Sequence, residues 1–520
     1  MANVMLICGV GAGQRRYGRL EKMGSYLPTY GTLCIGSVLE NAGHKVTLID
    51  REVSPITNED IVAEVQRQKP DVVGMSVFTI ALDDYLSVAK SIKESCDVPL
   101  IAGGPHVFVD KDGLQEEGYF DYMVPGEGER TIVELMQAIE AGRGAQAVPG
   151  ALARTNGKWV DGGHRKTIDN LDELPFPAFH LLGDIWQYRP TPFGYRRLPH
   201  LPIVASRGCP FACNFCSNIW GRKWRAHSAE YVVELIKYMM RDFGVREVWF
   251  VEDTFAIDRQ RVVGICEGII KAGLDIVWTC MTNAHILDEE LLKLMRRAGC
   301  WQIQLGLESG NDRVLKSTKK PITTRIVREK VTLINKCGIK VRGYFILGHL
   351  TDTKESIQDT INFACSIPLY TAEFHLLVLS MGAEVREKAH EYGKVDYDKS
   401  KLSAYTDSGL SFVPHGLTEA EMYEFKRRGH NRFFLRPRVM AKYLADIRSW
   451  TDIQRYWMMM QAFFANMLPG SKDGMDTSDA AHLLGQPNEK QTIPDFGGSG
   501  LHRVGADLAV GAAGLTAGGR

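Results

Sequence analysis

The feature that most constrains the fold is a rhythm: short β-branched runs alternate with helix-length segments through two long blocks of the chain. In the first block VMLICGV, VTLID, DVVGMSV, PLIAGG and DYMVPGEGE are separated by helical patterns near 30–42, 58–69 and 82–94. Strands joined through helices run parallel and are covered on both faces, so residues 1–140 are expected to form a doubly wound α/β domain. Ligands bind such sheets beyond the carboxyl ends of the strands. Those ends carry Gly9, Gly11 and Gly13, then Ser76 to Thr79, then Gly103, Gly104 and Pro105. A mostly irregular connector is expected over 141–195. The rhythm then resumes in IVASRGC, EVWFVEDTF, IVWTCMT, IQLGLESG, VRGYFILG and FHLLVLS. Six such strands suit a partial barrel over 196–384 with its chemistry at the carboxyl strand ends. A helical region is expected over 385–470, and the Gly-, Ala- and Ser-rich 471–520 reads as disordered or linker-like.

Composition narrows the function classes. The 62 basic side chains balance 62 acidic ones, so nucleic acid is not expected as a partner. No apolar run is long enough to span a bilayer, and MANVMLICGVGAG lacks the basic start of a signal peptide, so a cytoplasmic protein is expected. Eleven cysteines in 520 residues are too sparse for a disulfide scaffold, yet three fall together as Cys209, Cys213 and Cys216.

Three thiolates spaced i, i+4 and i+7 directly after a strand can converge on one metal centre. Structural zinc usually takes four closed ligands. A set of three leaves a position open, which fits a four-iron cluster with one free iron better; zinc or three unligated thiols are the alternatives. Gly208 permits a tight approach, Pro210 stiffens the loop, and Phe215 can pack against a flat ring.

RGCPFACNFC resembles the cluster loop of the radical S-adenosylmethionine (SAM) superfamily, CxxxCxxC with an aromatic before the last cysteine. The resemblance implies a [4Fe–4S] cluster on Cys209, Cys213 and Cys216 that binds SAM and cleaves it to a 5′-deoxyadenosyl radical, in an oxygen-sensitive protein. It also implies SAM contacts from Phe215, from Glu252 and then Asp253 in VEDTF, and from Glu308 and Ser309 in LGLESG. Arg225 in GRKWRAHS is implied at the SAM carboxylate, and FILGHLTDTKESI near the adenine. Asp253 as a helix cap, Glu308 as a paired barrel carboxylate and Arg225 as a surface cation over Trp224 are the structural alternatives. Two departures stand out. TCMTNAHIL has Asn283 where many relatives carry arginine, leaving the SAM carboxylate one cation short, and LSMGAEV replaces a Pro-Gly-Thr turn after the sixth strand.

Upstream, SVFT, IAGGPHV and GEGE together resemble the cobalamin-binding domain that precedes the barrel in one large subgroup. That implies a cobalamin nucleotide tail against Gly103, Gly104 and Pro105, with Ser76, Thr79 and Glu127 as further contacts. A DxHxxG motif is missing, which implies cobalt without a protein histidine beneath it; His106 is expected to be structural. The whole resemblance covers about 1–380. It implies a Rossmann-like cobalamin-binding domain, a partial (β/α)6 radical SAM barrel and a helical C-terminal region.

The activity implied is methylation of an unactivated carbon or phosphorus centre. One SAM methylates cob(I)alamin, a second yields the radical that abstracts a substrate hydrogen, and the substrate radical takes the methyl group. A cyclase or ring-rearranging enzyme of the anaerobic porphyrin type is the enzyme alternative; a cobalamin sensor or an electron carrier would leave Glu252, Glu308 and the barrel without a use. A flavodoxin- or ferredoxin-type electron donor is implied. Tyr423, Phe433, Phe434, Tyr456, Trp457 and the methionines 458–460 are expected to be mostly core, with some over an apolar or planar small-molecule substrate. No residue is singled out as catalytic.

Overall fold

The computed structural model describes residues 1–9, 25–54, 56–142, 148–398, 409–447, 452, 453 and 455–457. All belong to one compact unit, Met1–Asp473. Gly11, Gly13, the methionines 458–460 and the expected tail lie outside the described residues.

In the N-terminal sheet β1 (Asn3–Cys8), β2 (Lys45–Asp50), β3 (Val72–Ser76), β4 (Leu100–Gly103) and β5 (Tyr122–Met123) run parallel in the order β2-β1-β3-β4-β5. Helices Tyr30–Asn41, Asn58–Gln68 and Leu82–Ser95 connect the first four, the short helices Pro105–Val109 and Lys111–Glu117 lead from β4 to β5, and helix Glu129–Glu140 follows β5. Coverage on both faces explains why β1 reads NVMLIC with little alternation: Val4 to Cys8 are all buried. The strand order reverses between β1 and β3, and that switch point opens a crevice at the carboxyl ends.

The sheet does not end near residue 140. β6 (Leu152–Thr155) and β7 (Lys158–Asp161) add an antiparallel hairpin at the β5 edge, so the expectation of a mostly irregular connector is corrected at its start. The cause is local: Asn156 and Gly157 take φ of 50° and 76°, the two left-handed residues that a tight hairpin turn requires. Farther on, Phe179, Leu182, Ile185 and Tyr188 enter the core of the second domain, fastening the connector to it.

That domain is a six-stranded parallel sheet in simple order: β8 (His200–Ile203), β11 (Glu247–Phe250), β12 (Val277–Thr282), β13 (Cys300–Glu308), β14 (Lys340–Leu347) and β15 (Thr371–Leu376). Between β8 and β11 lies a two-stranded ribbon, β9 (Ser206–Arg207) and β10 (Arg225–Ala226), that brackets the cysteine loop. Period-two alternation divides the barrel strands. Ile303, Leu305, Val341, Phe345 and Phe374 join the main apolar core. The alternate positions, Gln302, Gln304, Arg342, Tyr344, Glu373 and His375, form a polar wall: Tyr344 Oη donates to Gln304 Oε1 at 2.7 Å and Arg342 Nε to Glu373 Oε1 at 2.6 Å.

Helix Glu419–Phe434 packs on β15, and its aromatic residues go to the core rather than to a cap. Phe433 is fully buried, and Phe434 stacks among Phe193, His430 and Tyr443. Trp457 is exposed. No helix among the described residues is long and apolar enough to cross a membrane.

Candidate functional site

The cysteine loop leaves β9 through Gly208, whose φ is 87° and where a Cβ would lie 2.5 Å from the Lys223 carbonyl oxygen. Only glycine allows that exit. The loop is then stitched down. Cys209 N–H donates to Gly221 O at 3.1 Å, Asn218 Nδ2 to Cys209 O at 3.2 Å, and Asn214 to Thr318 O and Ser317 O at 3.1 and 2.9 Å. Cys209 and Cys213 are half-buried, Cys216 is exposed, and all three thiols are free. Among the described residues no three Cys, His, Asp or Glu side chains gather on a single-ion position. A multinuclear cluster, in which different irons take the thiolates, does not need such a gathering. Burial pushes the Cys213 thiol up to about 11, opposed by Lys320 and reinforced by Glu308, Cys216 and Cys209. The three cysteines therefore share one electrostatic neighbourhood, where a metal centre would supply the charge that stabilises thiolates.

Around this loop stand the carboxyl ends of the barrel strands. After β11, Glu252 is buried and accepts a hydrogen bond from Ser206 Oγ, with Arg261 Nη2 at 3.6 Å. Burial raises its pKa, against Arg261 and Ser206. Asp253 is exposed and close enough to Cys216 to raise that thiol, while partial desolvation by the surrounding protein raises its own pKa. Thr254 Oγ1 lies 3.7 Å from Cys209 Sγ and accepts from Asn283 Nδ2 at 3.2 Å, so Asn283 is neutral and already engaged.

At the end of β13 the register shifts between Gly306 and Glu308, Glu308 adopts φ of 58°, and Ser309 N–H donates to Leu307 O at 2.7 Å. This tight turn is of a rare, strained kind, the sort retained where a side chain must be aimed. Glu308 is aimed at Lys320 Nζ, 2.5 Å away and equally buried. Ser309 turns the other way: its hydroxyl bonds Thr360 Oγ1 at 3.0 Å and accepts from Asn311 N–H at 3.2 Å, so it holds the turn. Two histidines complete the rim, each against a phenylalanine of the cysteine loop. His285 meets Phe211 at 5.2 Å and His349 meets Phe215 at 5.6 Å between ring centroids. Burial, then Lys320, lowers both; His349 falls to about 3.

In the N-terminal crevice, Ser76, Gly103, Gly104 and Pro105 lie together at the ends of β3 and β4. Val77 N–H donates to Gly103 O at 2.8 Å, and a Cβ on Gly104 would lie 2.9 Å from Ser76 Oγ. A Cβ on Gly103 or Gly126 would meet nothing within 4 Å, so this edge offers free space along backbone, which suits a nucleotide tail. Thr79 Oγ1 is 3.0 Å from Nδ1 of the buried His106.

Two expected contacts have other partners. Glu127 and Arg225, assigned to different cofactors by resemblance, face each other at 2.6 Å. Glu127 also accepts from Ile168 N–H at 2.7 Å and lies 3.5 Å from Arg207, which binds Glu129 at 2.5 Å. All four charged side chains are buried. Burial pushes Glu127 up, but Arg225, the Ile168 amide and Arg207 outweigh it and hold the carboxyl low. Arg207 stands two residues before Cys209, so this network ties the cysteine loop to the first turn of helix Glu129–Glu140. Sequence reasoning missed Arg207, Glu129, Lys320, His285 and His349; a charged residue beside the loop's glycine was the one available signal, for Arg207.

Residues 203–364 match the radical SAM superfamily, and residues 18–136 match the B12 binding domain. The chain is 31% identical over 436 residues to an uncharacterised methyltransferase of Pyrococcus horikoshii, covering 81% of this chain and 90% of that one. It is 28% identical to the anaerobic magnesium-protoporphyrin IX monomethyl ester cyclase of Rubrivivax gelatinosus, covering 67% of this chain but 63% of the cyclase. Among solved structures it resembles the cobalamin-dependent SAM radical enzyme OxsB with aqua-cobalamin and SAM bound. The TM-score is 0.67 at 17% identity, over 93% of this chain and 75% of that one. At that identity the likeness speaks for the fold.

Proposed function

The chain belongs to the radical SAM superfamily, in the branch with an N-terminal B12-binding domain, and on that premise we propose that it methylates an unactivated carbon or phosphorus centre of a small molecule. The observation that carries the reading is the near full-length likeness to a protein named a methyltransferase, 90% of which the chain covers. When bound, the cluster supplies the electron for reductive cleavage of SAM, and cobalamin carries the methyl group.

The chain's own residues would hold these groups in place. Cys209, Cys213 and Cys216 provide three thiolates and leave a coordination position for SAM. Asp253, open beside Cys216, is better placed than Glu252 to accept from an ammonium group, while Glu252 supports the strand end from beneath through Ser206 and Arg261. Glu308, turned inward by the bulge, would accept from ribose hydroxyls. Gly103 lets a nucleotide tail run along backbone, and the Arg207–Glu129 pair keeps the two halves in register.

The second reading is a cyclase or rearrangement enzyme without methyl transfer, favoured by the 28% identity to the porphyrin cyclase; the smaller share of that protein covered ranks it second. To test the shared core, anaerobically reconstituted protein is incubated with SAM and dithionite and 5′-deoxyadenosine is quantified. Wild type is expected to form it, and a variant with Cys209, Cys213 and Cys216 all replaced by Ala to form none; equal product from both would end the assignment.

A further inference from the structure

The charges of the chain balance overall, 62 basic against 62 acidic, but they are not evenly spread. Residues 426–447 carry seven lysines and arginines and one acidic residue, Asp446, which is already paired with Lys340. Arg427, Arg428, Arg432 and Arg436 line an open cleft of about 440 Å³ between helix Glu419–Phe434 and the start of helix Pro437–Ala445. Glu424, the carboxylate in that lining, is shared by Arg427 and Arg428. Arg432 and Arg436 meet neutral acceptors, Asn362 Oδ1 and the Cys365 carbonyl, and among the described residues Arg438 and Lys442 form no ion pair. Two of the cleft's guanidiniums are held over rings, Arg428 over Phe425 at 5.3 Å and Arg436 over Phe433 at 4.3 Å. Planar guanidiniums fixed around a cleft match the oxygens of a phosphate group.

Helix Pro437–Ala445 inverts the usual pattern of a surface helix. Val439 and Tyr443 turn toward the core. At about 100° per residue, Pro437, Met440, Ala441, Leu444 and Ala445 share the other side, and all five are exposed. Arg438 and Lys442 border this apolar strip, and Leu435 is exposed in the cleft beside it. Burial, then repulsion from Arg438 and Arg436, lowers the pKa of Lys442, against Asp446. A solvent face that is apolar along its middle and cationic at its rim is the arrangement of a helix that lies in a membrane interface.

The place of this face in the fold decides among partners. Tyr443 Oη donates to Tyr370 O at 2.8 Å, just before β15, and Lys340, the partner of Asp446, is the first residue of β14. The face therefore lies toward the amino ends of the strands, whereas the cysteine loop stands at their carboxyl ends, about 25 Å away along the eight residues of β14. An electron-donor protein that must approach that loop has no use for a dock at the far end. A nucleic acid would engage the arginines, but Leu435, Met440 and Leu444 offer no planar ring on which a base could stack. We propose that this face binds anionic phospholipid and seats the protein peripherally on a negatively charged bilayer. Headgroup phosphates enter the arginine cleft, and Leu435, Met440 and Leu444 dip among the upper acyl chains.

The test is co-sedimentation of the full chain with vesicles of phosphatidylcholine alone or of phosphatidylcholine and phosphatidylglycerol in equal parts. Binding is expected to the mixed vesicles only, and to weaken with added salt. Arg438→Gln with Lys442→Gln should weaken it about 25-fold, at about fivefold per cation removed. Met440→Ser with Leu444→Ser, which leaves the charge unchanged, should weaken it at least about tenfold. These four positions lie outside the cofactor sites, so iron content, thermal midpoint and 5′-deoxyadenosine formation should match wild type in both double variants. Equal binding to the two vesicle types, binding to neither, or binding that both double variants retain overturns the proposal. Weakening by the Gln pair but not the Ser pair, with duplex RNA displacing the protein from vesicles, assigns the face to nucleic acid and overturns it as well. So does a dimer that the Ser pair dissociates in protein that ignores vesicles, because the strip then joins two copies of the chain.

Discussion

Adjacent glycines at the end of β4 give a sharp test of the N-terminal crevice because the structure assigns them different duties. Gly104 has φ of 92°, and a Cβ there would lie 2.9 Å from Ser76 Oγ and Val77 N and 3.0 Å from Val77 O. Two of those atoms are backbone and cannot step aside. Gly104→Val is therefore expected to damage the fold itself, by about 1–3 kcal/mol of backbone strain before the steric conflict is added. At Gly103 an added Cβ meets nothing within 4 Å, and the residue lies at the end of a strand, where valine is well suited. Gly103→Val should leave stability within about 0.5 kcal/mol. Its methyl groups would nonetheless occupy the space through which a cobalamin nucleotide tail is proposed to run, and a tenfold weakening corresponds to about 1.4 kcal/mol. Cobalamin per chain is read by absorbance after anaerobic reconstitution, with iron content and thermal midpoint measured on the same samples. The expected result is normal iron and midpoint with at least about a tenfold loss of cobalamin affinity. Gly103→Val protein that holds as much cobalamin as wild type, at limiting cobalamin, would refute the placement of the tail.

Glu127→Ala removes the acceptor of Arg225, Ile168 N–H and part of Arg207, and stripping one partner from a buried charge network costs about 3–5 kcal/mol. Urea unfolding followed by tryptophan fluorescence checks this, and a loss under about 1 kcal/mol would mean the network is hydrated and weak. A second expectation concerns pH. Burial raises Glu247 to about 7 despite the Arg197 and Arg196 amides and Trp301. Because its folded pKa exceeds the unfolded one, its stabilising contribution is complete below the ordinary glutamate value and is lost as pH rises through about 7. The change is on the order of 3 kcal/mol. Glu247→Gln should flatten that part of the stability profile between pH 4 and 8, and an identical slope in both proteins would exclude Glu247 as its source.

The parallel sheets were legible because their evidence is local and repeated: β-branched runs such as VMLIC and FHLLV, helix-length spacers, and glycines at strand ends. The hairpin in LARTNGKWVD was missed: its alternation is weak because three of the four β7 residues are exposed, which left the Asn156–Gly157 turn as its one local signal. Charge pairing was not legible. Glu127 and Arg225 are separated by nearly a hundred residues, and nothing in either's neighbourhood says that a domain boundary closes between them. Motif resemblance assigned each to a cofactor, whereas packing gave them to one another. Lys320 gave no sequence signal either, because it is the left-handed Lys319 before it and the bulge before Glu308 that bring the two side chains together.

The central claim is that one chain brings SAM to two fates, and following the methyl group tests it most directly. Cobalamin-loaded, cluster-reconstituted protein is given methyl-labelled SAM and a reductant with candidate substrates, and S-adenosylhomocysteine, 5′-deoxyadenosine and labelled product are quantified together. The account predicts all three with the true substrate, and loss of S-adenosylhomocysteine when cobalamin is withheld. Turnover that yields 5′-deoxyadenosine and a product without S-adenosylhomocysteine or label would contradict methyl transfer and leave the cyclase reading in its place.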